Sequence, residues 1–315
     1  MNSSTREKIA LIGYAYGLGG TVPGCGQGPE VIRTRGLTSK LNDLGLDLHD
    51  LGNTSAEFSE EEALKVLDQL SPREQSINNA AKTLLACRQL YSLSQRALSE
   101  GMSPLIIGGD HSLSIASVAA VGDFYAQQNE AIGLIWIDTH ADCNTPETSP
   151  SQNPFGMPIS FLLGEVQGAF SKIQQHSPSI LAEHLVYIGL RDVDRGEKEF
   201  IKRNNISAFT MKEIDRYGIG AVVEEAIEIA SSSTAGFVTS FDLDVCDPRI
   251  VPGIGTPARG GLSFREAHLA LELIHDSNKL LSFELVELNP ALDRDSETAD
   301  LAISLIESAF GKSIL

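Results

Sequence analysis

The stretch AIGLIWIDTHADCN, residues 131–144, starts as an unbroken apolar run and ends with Asp138, His140 and Asp142 at alternate positions. A short continuous apolar run, rich in β-branched and aromatic side chains, reads as a strand buried on both faces. Five other runs share its character: KIALIG (8–13), PLIIGG (104–109), HLVYIG (184–189), GFVTSFDLD (236–244) and LLSFELVEL (280–288). Helical patterns separate them. Strands that alternate with helices form a parallel sheet covered on both sides, so the pattern predicts a doubly wound α/β fold with a mostly parallel sheet.

The helices carry their own punctuation. Ser59 followed by Glu62 predicts a capping box for a helix running to Leu70, and Ser71-Pro72 predicts the start of a long helix that ends before Gly101. Later helices are expected over 161–175, 195–204, 219–231, 264–276 and 298–310. The glycine-rich stretch GLGGTVPGCGQGPE (17–30) follows the first strand, yet Val22 takes the place of the third glycine of a dinucleotide fingerprint and no P-loop lysine follows. It reads as a flexible first loop, with Pro29 starting a helix. NTPETSPSQNPFGMP (144–158) is a long polar loop, a kind that in a compact domain serves function or is disordered. With no internal repeat and no low-complexity linker, residues 1–315 read as a single domain.

Composition narrows the partners. A chain of 315 residues, 42% hydrophobic and 21% charged, can bury a large core. Its net charge of -18 repels phosphate backbones and anionic lipid, which argues against nucleic acid and membrane surfaces. No run approaches the ~20 apolar residues of a membrane span, and the apolar run after the charged N-terminus is too short for a signal peptide, so a cytoplasmic location is expected. Cys25, Cys87, Cys143 and Cys246 are far apart without a CxxC pair, and read as reduced and mostly buried.

Three strand ends carry chemistry. Alternate strand residues face one side, so positions 138, 140 and 142 share a side if the extended backbone persists, at the C-terminal edge where open α/β sheets bind ligands. SFDLDVCDP (240–248) ends another strand with Asp242 and Asp244 at the same spacing, and IIGGDHS (106–112) ends a third with Asp110 and His111. A single Asp after a strand is usually an N-cap or turn residue. Four carboxylates gathered at one edge would repel one another and titrate upward, whereas divalent cations would neutralise them. Two ions sharing His111, Asp138, His140, Asp142, Asp242 and Asp244 are the economical solution. Oxygen donors with two imidazoles and no thiolate favour Mn²⁺ over zinc, with Ni²⁺, Co²⁺ or Fe²⁺ as substitutes. A pair of ions ~3.5–4 Å apart holds and acidifies a bridging water, which implies metal-assisted hydrolysis.

GGDHS (108–112), DTHADCNT (138–145), SFDLDVCDP (240–248) and VELNP (286–290) resemble the four signature segments of the ureohydrolases, and the similarity runs from the first strand, with GPEVIRTRGL (28–37), to the last helix. YIGLRDVDRGE (187–197) and MKEIDRYGIG (211–220) resemble arginases rather than agmatinases. The resemblance implies a three-layer α/β/α sandwich, two Mn²⁺ per chain, a small guanidino substrate and assembly into trimers or hexamers. It implies one ion on His111, Asp138, Asp142 and Asp242 and the other on Asp138, His140, Asp242 and Asp244. Attack of a metal-bridging hydroxide would convert L-arginine to L-ornithine and urea. Glu287 would accept hydrogen bonds from the guanidinium, Asn144 and Ser151 would receive the α-carboxylate, and Asp194 the α-ammonium. Asp192, Glu197 and Thr256 would complete that shell, and Asp142 would pass a proton to the departing amine.

One position departs from the family pattern. Arginases carry a His in the segment N-x-H-G-x-P, where this chain reads NPFGMP and places Phe155. That His is the family's proton shuttle, and a phenyl ring transfers no proton. Three outcomes follow: water relays the proton in a slower arginase, another guanidino substrate (as in an agmatinase or guanidinobutyrase) packs on the ring through a cation–π contact, or metal binding persists without turnover. His49, His176, His184, His268 and His275 have no matching partners and are assigned no role.

Overall fold

All six apolar runs become strands in the computed structural model, which describes residues 7–314; the charged N-terminal residues 1–6 lie outside the described residues. The strands are β1 (Lys8–Gly13), β2 (Asp47–Asn53), β3 (Ser103–Ile107), β4 (Gly133–Ile137), β5 (Leu185–Leu190), β6 (Ser207–Thr210), β7 (Phe237–Asp242) and β8 (Leu280–Val286). They form one sheet in the order β2-β1-β3-β8-β7-β4-β5-β6, with every pairing among the described residues parallel. Sequence reading missed β2 and β6 for a common reason. DLHDLGN and SAFT are half-exposed strands at the two edges, where polar residues are tolerated and the apolar signal fades.

Among the described residues eleven helices cover the sheet: α1 (Gly28–Thr34), α2 (Leu37–Asp43), α3 (Glu60–Leu67), α4 (Ala80–Ser99), α5 (Ser114–Ala126), α6 (Pro158–Leu162), α7 (Arg195–Arg203), α8 (Met211–Tyr217), α9 (Ile219–Ala230), α10 (Phe264–Asp276) and α11 (Glu297–Ala309). Strand parity sorts the core into two layers. Ile135 and Ile137 of β4 pack with side chains from α1, α2 and α8–α11, whereas Leu134 and Trp136 face the layer built from α3–α7. This is a three-layer α/β/α sandwich. Among the described residues no helix is long and apolar enough to cross a membrane.

The Ser59 capping box is present, and Pro29 sits in the first turn of α1. Two helix expectations fail, and one carboxylate explains much of both. Glu74, fully buried, accepts the backbone N–H groups of Ala169 and Phe170 at 2.8 Å each and that of Ser71 at 2.8 Å. Ser71, whose Oγ accepts the Glu74 N–H at 3.3 Å, therefore leads only into a single 3-10 turn (Glu74–Ser76), and the long helix α4 starts only at Ala80, after Asn79 in the left-handed region. The expected helix over 161–175 is limited to α6, because Gly164 adopts φ +74 and the amides that would continue it bond to Glu74 instead. The glycine-rich loop is also not loose. Gly19 N–H donates to Asp110 at 2.8 Å, and Asn289 Nδ2 donates to the Pro23 carbonyl at 3.0 Å.

The four central strands β3, β8, β7 and β4 are neighbours, and their C-terminal ends carry His111, Glu287, Asp242 and Asp138. The sheet order thus brings together four motifs far apart in sequence.

Candidate metal centre and substrate cavity

The strand-parity expectation holds for only part of the cluster. β4 ends at Ile137, and Asp142 takes φ +46, so the backbone from 138 to 142 turns rather than extends. Asp244 likewise lies in a 3-10 turn (Leu243–Val245) capped by the side chain of Asp242. Turns, rather than pleat alternation, bring these carboxylates to one place. Short Asp side chains hold such turns by bonding backbone amides two residues on: Asp138 Oδ1 accepts from His140 N–H at 2.7 Å, and Asp242 Oδ1 from Asp244 N–H at 2.8 Å.

The outward-facing oxygens converge. His111, Asp138 and Asp142 offer ligand atoms within 4.8 Å of one another, and so do Asp138, His140 and Asp244. Asp138 belongs to both groups. His111 Nδ1 lies 3.1 Å from Asp138 Oδ2, 3.1 Å from Asp142 Oδ2 and 3.2 Å from Asp242 Oδ2. His140 Nδ1 lies 3.1 Å from Asp244 Oδ2. All six residues expected at the metal centre are therefore at one edge of the sheet.

His111 tests whether a cation fits. Its Nδ1 is buried and makes no hydrogen bond of proper geometry, although three carboxylates stand around it. Its Nε2 lies 2.8 Å from Ser240 Oγ. An Nε2–H donated to that hydroxyl leaves the Nδ1 lone pair aimed into the carboxylates, the arrangement of a histidine that ligates a metal and is oriented from behind. The electrostatics agree. Burial raises the carboxyl of Asp142 to about 6, with Asp138 adding to the rise, and pushes Asp242 well above the usual range, with Asp244 and Asp138 adding to it. Asp138 goes the other way: burial opposes its charge, but His111 and His140 outweigh it and hold the carboxyl well below the usual range. For both His140 and His111, burial disfavours the cation, and the surrounding carboxylates reverse that effect and raise the pKa. Divalent cations would satisfy the whole donor set at once.

Several supporting residues were not singled out in the sequence. Trp136 stacks on the His111 ring with centroids 4.1 Å apart, and its Nε1–H donates to Asp138 Oδ2 at 3.0 Å. Ser114 Oγ donates to the buried carboxylate of Glu284 at 2.6 Å and lies 3.5 Å from Ser240 Oγ. Thr139 Oγ1 donates to the Asp244 carbonyl at 2.7 Å. A signal for two of them was available: Trp136 and Ser240 stand two residues before Asp138 and Asp242, on the same side of their strands.

A cavity of about 130 Å³ opens beside the cluster, walled by His140, Asp142, Asn144, Ser149, Pro150, Ser151, Phe155, Gly156, Asp194 and Glu197. Four expected substrate residues, Asn144, Ser151, Asp194 and Glu197, stand on that wall. Asp192, Thr256 and Glu287 do not. Thr256 Oγ1 donates to Asp244 Oδ2 at 2.8 Å, and buried Glu287 accepts the His111 N–H at 2.9 Å. Asp192 is exposed, off the cavity wall. Asp194 and Glu197 also form the capping box of α7, and Asp194 Oδ2 accepts from Asn144 Nδ2 at 2.8 Å. Burial and the nearby Asp142 push the Glu197 carboxyl up to about 8. The ring of Phe155 is half-buried in the wall, and its backbone N–H donates to the Gly19 carbonyl at 3.3 Å. All four cysteines are free and buried.

An all-parallel sheet with acidic and imidazole groups gathered beyond its central strand ends defines an α/β protein whose side chains could hold a metal ion. The family model described as "Arginase family" matches residues 7–311. The arginase of Bacillus caldovelox is 39% identical over 309 residues, covering 98% of this chain and all of the relative. The solved native structure of that arginase superposes with a TM-score of 0.89 at 38% identity, covering 98% of this chain and 100% of the other. The Entamoeba histolytica arginase, solved in complex with L-ornithine, superposes with a TM-score of 0.85 at 26% identity, covering 98% of this chain and 99% of the other. The chain belongs to the arginase family, and it is an amidinohydrolase.

Proposed function

We propose that the chain hydrolyses L-arginine to L-ornithine and urea at a centre of two divalent cations. The observation that carries the two-ion reading is Asp138, whose carboxylate serves both His-containing ligand groups. His111, Asp138, Asp142 and Asp242 would hold one ion, and Asp138, His140, Asp242 and Asp244 the other. The oxygen-rich donor set favours Mn²⁺, with Ni²⁺, Co²⁺ and Fe²⁺ as substitutes. When bound, such a pair supplies neutralising charge and a water acidified toward neutral pH.

The chain's own residues do the rest. Glu287 offers a buried carboxylate suited to a planar guanidinium. Asn144 and Ser151 receive the α-carboxylate, Asp194 the α-ammonium, and Glu197 completes the shell on the cavity wall, while Asp192 and Thr256 support it from off that wall, Thr256 through its bond to Asp244. A guanidine lacking the carboxylate leaves Asn144 and Ser151 unpaired, which is the physical basis for preferring arginine. Asp142 passes the proton to the departing amine. Solution assembly into trimers or hexamers belongs to the same reading, and light scattering on purified protein measures it.

Phe155 favours a second reading, another guanidino substrate, because its ring replaces a proton-transferring imidazole with an apolar face on the cavity wall. Urea release from L-arginine, agmatine and 4-guanidinobutyrate, measured after loading with Mn²⁺, separates the two. Arginine is expected to lead clearly; similar rates on all three defeat the arginine assignment.

A further inference from the structure

Arg191 follows β5 directly, and its hydrogen bonds run to backbone carbonyls alone. Nη1 donates to Val245 O at 3.0 Å and Gly189 O at 3.5 Å; Nη2 donates to Asp244 O at 2.7 Å, Ala258 O at 2.9 Å and Cys246 O at 3.2 Å. Its Nε is buried with no partner, so this cation is committed to carbonyls rather than to an anion. Its own backbone N–H donates to the Thr139 carbonyl at 3.0 Å, inside the motif that carries Asp138 and His140. One guanidinium thus ties together the end of β5, the turn after β7 and the loop around Ala258.

We infer that Arg191 is a positioning residue for the metal centre: its guanidinium clamps the Asp244 turn, and that clamp sets the affinity of the cation Asp244 would hold. This inference rests on the metal reading above. Among the described residues the other hydrogen bonds to the Asp244 backbone come from the Asp242 carboxylate, which accepts its N–H at 2.8 Å, and from Thr139. Thr139 fixes its carbonyl, and Thr256 its outer oxygen, but Thr256 stands on the same loop that Arg191 grips through Ala258. Release of the guanidinium therefore loosens the backbone of Asp244 and one of its side-chain partners together. The fit is tight: a Cβ placed on Gly261 would meet Arg191 Nη2 at 2.5 Å and the Val245 carbonyl at 2.3 Å. Only a planar fork reaches carbonyls spread across three segments; an ammonium concentrates its donors at one point. The half-buried positive charge also lies within electrostatic reach of Asp244 and Asp138.

The test is Mn²⁺ titration calorimetry on the full chain as wild type, Arg191→Lys, Arg191→Met and Asp244→Asn, with thermal unfolding of each metal-free protein. The binding event lost in Asp244→Asn marks the Asp244 ion. In Arg191→Lys that event is expected to weaken about 10–100-fold, the range for removing a partner that orients a ligand. The other event changes by less than about threefold, and metal-free Arg191→Lys unfolds within a few degrees of wild type. Arg191→Met is expected to weaken the same event at least as much. Unchanged Mn²⁺ affinity in both Arg191 variants overturns the inference. Equal weakening of both events with a steep fall in metal-free unfolding temperature overturns it too, since Arg191 is then a general structural clip. A wild-type chain that binds no Mn²⁺ removes the metal reading itself, and wild type alone reveals that failure.

Discussion

The acidic cluster and the cavity wall beside it are built in different ways. In the cluster, His111, Asp138 and Asp244 are fully buried, and each is held by a hydrogen bond from a strand or the turn after one: Asp138 by Trp136 on its own strand, His111 by Ser240, and the Asp244 carbonyl by Thr139. The wall is borne by the loop after β4 and the first turn of α7. Ser151 there is exposed, Asp194 is half-exposed, and Thr148 Oγ1 donates to Asn144 within the same loop. These hydrogen bonds hold the cluster's side chains in place, which is what charge stabilisation in a reaction requires. The wall can vary without disturbing it. Phe155 stands on the wall and not in the cluster, so the departure from the family pattern falls where the fold tolerates change.

The largest expected effect breaks the fixed side. Asp138→Asn removes a carboxylate common to both ligand groups, and urea release from Mn²⁺-loaded protein is expected to drop on the order of 10³-fold or more, the scale of losing a major electrostatic stabiliser. A residual rate within tenfold of wild type would mean that the shared carboxylate is not central. Next comes the wall. Phe155→His restores a group able to carry a proton, and kcat on arginine is expected to rise by up to about 10²-fold, the lower end of general acid–base contributions. An unchanged kcat would place the limiting step elsewhere and show that the wall has been rebuilt around the ring. Ser240→Ala sharpens the contrast from behind the cluster. It frees Nε2 of His111, and Mn²⁺ affinity is expected to weaken about 10–100-fold while the KM for arginine at saturating metal stays within a fewfold.

What was legible in the sequence divides along the same line. Strands buried on both faces announce themselves as apolar runs, and the motifs at their ends named all six members of the cluster. Edge strands β2 and β6 stayed hidden because a half-exposed strand has no need of apolar residues on both faces. The helix expected over 161–175 does not form because the decisive partner of Ala169, buried Glu74, lies 95 positions earlier in the chain, and no local pattern reports that its carboxylate will take up the amides of Ala169 and Phe170. Alternate spacing of Asp138, His140 and Asp142 pointed to the right cluster by way of an extended backbone, although Asp142 sits at φ +46 in a turn. Turns capped by Asp carboxylates reach the same convergence that pleating would have given.

Glu197 stands where the two regions meet, and it yields the smallest effect. Its carboxyl lines the cavity, accepts the Asp194 N–H at 3.1 Å and is pushed up to about 8 by burial and by Asp142. An unfolded Glu titrates near ~4.3. Between those two values the folded chain keeps a proton that the unfolded chain has lost, so this residue's contribution to metal-free stability is present at low pH and lost as pH rises toward 8. Glu197→Gln keeps an oxygen acceptor for Asp194 and removes the titration. Metal-free Glu197→Gln is therefore expected to unfold near the wild-type temperature at pH 5 and roughly 3–6 °C above it at pH 8.5. Scanning calorimetry at the two pH values measures the difference. If the two proteins keep the same offset at both, Glu197 is already ionised in the folded chain, and the wall is more open to water than the cluster beneath it by a wider margin than its burial indicates.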